Sequence, residues 1–118
     1  MQFEIERQVM DSGVLVLALS GTMTSTSPIR DFELLVEELA HNQQTRIVVD
    51  MAGISHIDSS AIGILVGSHM LVKESGGQLR LAALTDRVRT VFRIAGVENM
   101  LYLDPNRDFA VSALSATH

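Results

Sequence analysis

ISHIDSSAIGILVG, residues 54–67, places an Asp and two Ser where an apolar run from Met51 gives way to another beginning at Ala61. The β-branched segment RIVVDM at 46–51 precedes it and suits a central strand. The stretch after Ser59 is long enough for a helix that ends before Gly76 and Gly77. HIDSSA therefore occupies a strand-to-helix junction. Sites gather at such junctions in open sheets, because helix N-termini present free N–H groups and a partial positive charge.

Working outward, strand and helix alternate. Residues 3–9 alternate apolar and polar for much of their length, DSG at 11–13 makes a turn, and VLVLALSG at 14–21 follows as a more buried strand, so the pair reads as an antiparallel hairpin. Ser27 before Pro28 is the usual N-cap and first-turn combination, and Ile29, Phe32, Val36 and Leu39 recur at helical spacing, which predicts a helix over roughly 28–41. Downstream, QLRLAAL at 78–84 alternates as a strand. Thr85 and Asp86 open a helix bearing Val88, Val91, Phe92 and Ala95, which Gly96 closes. MLYLD at 100–104 makes a last strand, and Asp104 and Pro105 start a final helix with Phe109 and Leu114. This order predicts an α/β fold: a mostly parallel sheet with an antiparallel N-terminal edge and about four helices, in one domain spanning 1–118.

Composition narrows the function. At 47% hydrophobic and 19% charged residues, the 118-residue chain has the balance of a compact globular domain. A formal charge of -5 without a basic cluster argues against nucleic acid, which needs a Lys or Arg patch for its phosphates. No apolar run reaches the roughly 18 residues of a membrane span, and MQFEIERQVM lacks the organisation of a signal peptide. A cytoplasmic location without membrane contact is the expectation. No Cys is present, so thiolate metal ligands are excluded, and His41, His56, His69 and His118 do not pair at ligand spacing. No metal site or cofactor is predicted. Gly76 and Gly77 precede a strand, and no G-K-[ST] follows them, so a phosphate-binding glycine loop is missing.

Three readings of the junction follow from its residue types. Asp58 or one of the serines caps the helix, which stabilises by about 1 kcal/mol. A Ser55, His56, Asp58, Ser59 nucleophile system is disfavoured, because neighbours in an extended segment point to opposite sides and no G-x-S-x-G elbow occurs. The third reading is covalent: a phosphate on a serine here would put nearly two negative charges beside Asp58, and a docked partner would have to desolvate them. Ser59, Gly63 and Gly67 also recur every fourth residue. That thin stripe either faces the protein's own sheet or leaves room outside for a partner backbone.

DSSAIG at 58–63, with LSG at 19–21, GGQLRLAAL at 76–84 and VRTVFRIAGVENML at 88–101 in the same order, resembles the STAS domain family, in particular its bacterial anti-sigma factor antagonists. The resemblance implies a regulatory protein without catalytic residues. Unmodified, it would bind an anti-sigma factor that is also a serine kinase and so free the sigma factor. Phosphorylation on the residue that aligns with Ser59 would end that binding, and a serine phosphatase would reset it. The implied binding face comprises Asp58, Ser59, Ser60, Ala61, Ile62 and Gly63, with Thr24 from the preceding loop, on a monomer or weak homodimer. Ala61 stands where the family usually has Gly, placing a methyl at the point of closest kinase approach. Thr22 and Thr24 in GTMT replace two acids, which implies either another partner, if those acids serve kinase binding, or a less costly phosphate on Ser59, since two nearby like charges are gone. A STAS scaffold or ligand-sensing module without phosphoswitching is the alternative.

Overall fold

The computed structural model describes residues 2–115. A five-stranded sheet runs in the order β1 (Glu4–Val9), β2 (Leu15–Met23), β3 (Arg46–Ile57), β4 (Gln78–Ala82) and β5 (Tyr102–Asp104). β1 pairs antiparallel with β2, and the remaining pairs are parallel. The crossovers are α1 (Ile29–His41), α2 (Ser59–Glu74) and α3 (Asp86–Ala95), the last followed by a short 3-10 turn at Glu98–Met100. α4 (Arg107–Ser115) completes the chain's described part. The predicted order of elements and the antiparallel edge are therefore present.

Strand order and crossover hand together decide where the helices lie. The parallel strands are laid down in one direction, so right-handed crossovers carry α1, α2 and α3 to the same face. Leu15, Leu17, Leu19, Ile47, Val49, Met51, Leu79 and Leu81 alternate onto that face and bury against Phe32, Val36, Leu65, Val72 and Phe92. The opposite face carries a smaller core of Val14, Val16, Val48 and Ala82 under Ala110 and Leu114 of α4. Phe109, expected to help anchor α4, is instead more than half exposed. Two ion pairs fix α4's side of the sheet. Arg80 Nε and Nη2 lie 2.6 and 2.9 Å from the two oxygens of Asp104, and Arg107 Nε donates to Asp50 Oδ2 at 2.8 Å.

β4 stops at Ala82 rather than at 84, β5 begins at Tyr102 with Met100 in the 3-10 turn, and three further boundaries differ from the sequence expectation for reasons visible in the contacts. β3 continues six residues beyond Met51, because β2 also continues and the two strands stay paired to Met23 and Ile57 across two register shifts, each of which places an extra residue in β3. Small residues at 52 and 53 look like a strand end, yet a Cβ on Gly53 would come within 2.7 Å of the Leu19 carbonyl oxygen, so the strands need a glycine there. α1 begins at Ile29 with Pro28 in the cap position and no side-chain cap, Ser27 being engaged elsewhere. α4 starts not at Asp104 and Pro105 but after Asn106, whose Oδ1 accepts from the Phe109 N–H at 2.8 Å. Asp104 has given both oxygens to Arg80.

Candidate functional site at the start of helix α2

The longer β3 delivers Asp58 in extended conformation to the N-cap of α2. Asp58 Oδ1 accepts from the Ala61 N–H at 3.2 Å, the bond expected of a capping aspartate. Its second oxygen, Oδ2, accepts from the Ser25 N–H at 2.8 Å. One carboxylate thus ties the helix start to the loop that follows β2. Burial pushes the Asp58 pKa upward, but the N–H groups of Ser25, Ala61 and Ser60 and the Ser25 hydroxyl outweigh it and hold the carboxyl below its ordinary value. The group stays ionised, with both oxygens committed to N–H donors. This is the geometry of a structural anion, not of a base poised on a neighbouring hydroxyl.

The loop is knitted from hydroxyls. The Thr24 N–H donates to Ser27 Oγ at 3.2 Å, Thr24 Oγ1 lies 3.0 Å from Thr26 Oγ1 and 3.2 Å from Ser27 Oγ, and Thr22 Oγ1 lies 3.3 Å from Ser27 Oγ. Ser27, expected to cap α1, is used here. The structure thereby brings Thr24 beside Asp58, though 34 positions separate them in sequence. Gly21 makes the approach possible: at φ +97° it sits in β2 opposite a register shift of β3, and a Cβ there would run into the Gln2 carbonyl. Ser25 was missed as a site residue by sequence reasoning. Its contribution is a main-chain N–H, for which the side chain carries no signal.

Next to this cluster, Ser55 Oγ donates to the Gly21 carbonyl at 3.2 Å, and His56 Nδ1 lies 3.2 Å from Ser55 Oγ. Arg87, from the first turn of α3, meets His56 Nε2. A guanidinium has only donors, so Nε2 accepts and the imidazole proton sits on Nδ1. Ser55 and His56 therefore serve the joint between β3, β2 and α3 and do not address Ser59. His41 is exposed, His69 is buried far along α2, and His118 lies outside the described residues.

Along α2 the predicted residues divide cleanly between two faces. Ala61, Ile62, Leu65, Ser68, His69 and Val72 are buried at spacings of three and four, so they form the inward stripe. The methyl of Ala61 is fully buried and does not stand at the approach surface, contrary to the sequence expectation, and Ile62 also points inward. Ser59, Ser60 and Gly63 are exposed, as is Gly67. A Cβ on Gly63 or Gly67 would meet nothing within 4 Å. The small-residue stripe left open by the sequence therefore faces away from the sheet. Beside it, a groove of about 250 Å³ runs between α1 and α2, floored by Gly67, Ser68 and Leu71 and walled by Glu33 and Glu37. Among the described residues, no helix is long and apolar enough to cross a membrane.

Comparison with known proteins bears on this arrangement. The family model of the STAS domain matches residues 7–110. The anti-sigma F factor antagonist of Paenibacillus polymyxa is 26% identical over 115 residues, covering 98% of this chain and 93% of that protein. The structure of the anti-sigma factor antagonist SpoIIAA in its unphosphorylated form superposes with a TM-score of 0.81 at 17% identity, over 98% of this chain and 99% of the other. The Bacillus cell fate determinant SpoIIAA in its phosphorylated form gives a TM-score of 0.69 at 20% identity, over 94% and 97% of the two chains.

Proposed function

The chain belongs to the STAS domain family, and from that premise we propose that it is an anti-sigma factor antagonist switched by phosphorylation at Ser59. The observation that carries the reading is the exposure of Ser59 at the first turn of α2, at the head of an outward stripe with Gly63 and Gly67 and directly after the ionised Asp58. Unmodified, this stripe carries nothing larger than a serine side chain, so a partner's backbone can approach it closely. Ser60, Gly63 and the Thr24 loop complete the contact surface, while Asp58, Ala61 and Ile62 hold its shape from within. The partner is an anti-sigma factor serine kinase, and a serine phosphatase resets the cycle.

A phosphate on Ser59 has opposite effects on fold and complex. The helix N-terminus favours the added charge by about 0.3–1 kcal/mol, and neighbouring Asp58 disfavours it by a comparable amount through water. The isolated domain therefore tolerates the modification. In the complex the same group must be desolvated beside an existing carboxylate, which costs several kcal/mol and releases the partner. The test is to incubate the chain with its cognate kinase and ATP and locate the phosphate by mass spectrometry. Modification of Ser59 is expected, with Ser59→Ala abolishing it. Phosphate on Ser60 or on the Thr24–Ser27 loop would overturn the assignment, and a chain left unmodified while assembling into large complexes would favour a scaffold.

A further inference from the structure

Glu33 and Glu37 stand one turn apart on α1, a spacing at which like charges oppose the helix. Both wall the groove whose floor is Gly67, Ser68 and Leu71 of α2. Arg30 meets Glu33 through Nη1 and feels the charge of Glu37, yet it is exposed and does not line the groove. Among the described residues Glu37 has no ion pair of its own. The polar side chains lining the groove are thus two carboxylates and one hydroxyl, with no cation among them.

The hydroxyl belongs to Ser68, which is only 4% exposed. Ser75 and Ser115 donate back to the carbonyls of Leu71 and Val111, four residues earlier, but Ser68 Oγ makes no hydrogen bond among the described residues. Nor is it sealed, as the unpartnered His69 Nδ1 is; it opens into the groove that Ser68 lines. A polar side chain this nearly buried ordinarily has a partner, so the groove offers a hydroxyl oxygen with its lone pairs unused.

We propose that the groove receives one basic side chain, arginine or lysine, from the protein that docks on the Ser59 stripe, an inference that rests on that reading of the stripe. A guanidinium or ammonium has only donors, which suits Glu33, Glu37 and Ser68 Oγ together, and its methylene stem can lie along half-buried Leu71. Gly67 belongs to both features: it ends the stripe and floors the groove, and without a Cβ it leaves the entrance open. Eight positions of helix, roughly 12 Å, separate it from Ser59, so one partner surface spans both. Phosphate on Ser59 then opposes docking at one end, while the charge of the groove selects the partner at the other.

The test is titration calorimetry of the full, unphosphorylated chain with its anti-sigma factor, with Tm recorded for every variant. Glu37→Gln should weaken binding about tenfold, the loss of one charge-assisted hydrogen bond, and adding Glu33→Gln should weaken it further and make it less sensitive to salt. Ser68→Ala should weaken it severalfold at unchanged Tm. Asp108→Asn, the same change of charge on α4, should leave affinity as it is. Glu37→Arg should abolish binding, and one Arg→Glu or Lys→Glu change in the partner should restore it. Undiminished affinity in the double glutamine variant, with a normal response to phosphorylation of Ser59, would overturn the groove's role and leave the switch standing. Equal losses from Glu37→Gln and Asp108→Asn would reduce the effect to net charge and overturn it as well. Absence of binding by the unsubstituted chain would overturn both readings.

Discussion

Replacing Gly63 and Gly67 together by Ala separates what the fold needs from what the surface does. A glycine inside a helix costs about 0.5–1 kcal/mol relative to alanine, because it surrenders more backbone freedom on folding. At both positions the new methyl meets nothing within 4 Å, so no clash offsets the gain. The double variant should be more stable by about 1–2 kcal/mol. At about 2.1 cal/mol/K per residue, 118 residues give an unfolding entropy of about 250 cal/mol/K, so each kcal/mol raises Tm by about 4 °C. Calorimetry should therefore show Tm rising by about 4–8 °C. Two methyls on the proposed docking stripe act oppositely on the proposed complex, since overpacking a close contact costs about 1–3 kcal/mol, and titration calorimetry should show affinity for the anti-sigma factor falling about tenfold or more. A drop in Tm would mean that the stripe packs within the fold. A rise in Tm with unchanged affinity would place the docking face elsewhere.

Further outcomes follow from the contacts of Asp58, Asp104 and His69. Asp58→Ala removes the α2 cap and the Ser25 tether and should cost about 2 kcal/mol in urea unfolding, whereas Asp58→Ser keeps a cap and should lose about half as much. Because the Asp58 carboxyl titrates lower when folded, its contribution is complete above about pH 4 and disappears as pH falls through the folded value, and acid titration of Asp58→Ala should lack that component. Asp104→Ala leaves the Arg80 guanidinium nearly enclosed without its bidentate partner and should cost about 3 kcal/mol or more by the same assay. His69, also lowered, contributes fully above about pH 6.5 and loses its contribution as pH falls through the folded value, so His69→Phe should flatten the fall in stability on that limb.

Much of the fold was legible because hydrophobic period and caps agree. Thr85 accepting from the Val88 N–H, Gly96 at φ +72° and the buried Ile29, Phe32, Val36 and Leu39 are features that local chemistry dictates. The discrepancies arise where a side chain has two possible uses and a distant residue decides. Ser27 and Asp104 both look like helix starters, but the Thr24 loop claims one and Arg80 the other. The extent of β3 depends on its continued pairing with β2 across two register shifts, which no local window contains. At the site, the cap on α2 and the placement of Ser59 could be read directly. The inward turn of Ala61 and the outward turn of Gly63 could not, because α2 is apolar nearly all round and small residues fit either face. The Ser25 tether and the unpartnered His69 nitrogen depend on backbone position and packing, which sequence pattern does not encode.

In the proposed switch, charge on Ser59 governs partner binding while the fold stays unchanged. The direct measurement is the affinity of the chain for its anti-sigma factor before and after stoichiometric phosphorylation of Ser59, with Tm recorded on the same two samples. The phosphorylated chain should bind at least about a hundredfold more weakly, the equivalent of a few kcal/mol of desolvation and like-charge cost, with Tm shifted by no more than a few degrees. Equal affinity in the two states would contradict the account, and so would a loss of binding that tracks a collapse in Tm.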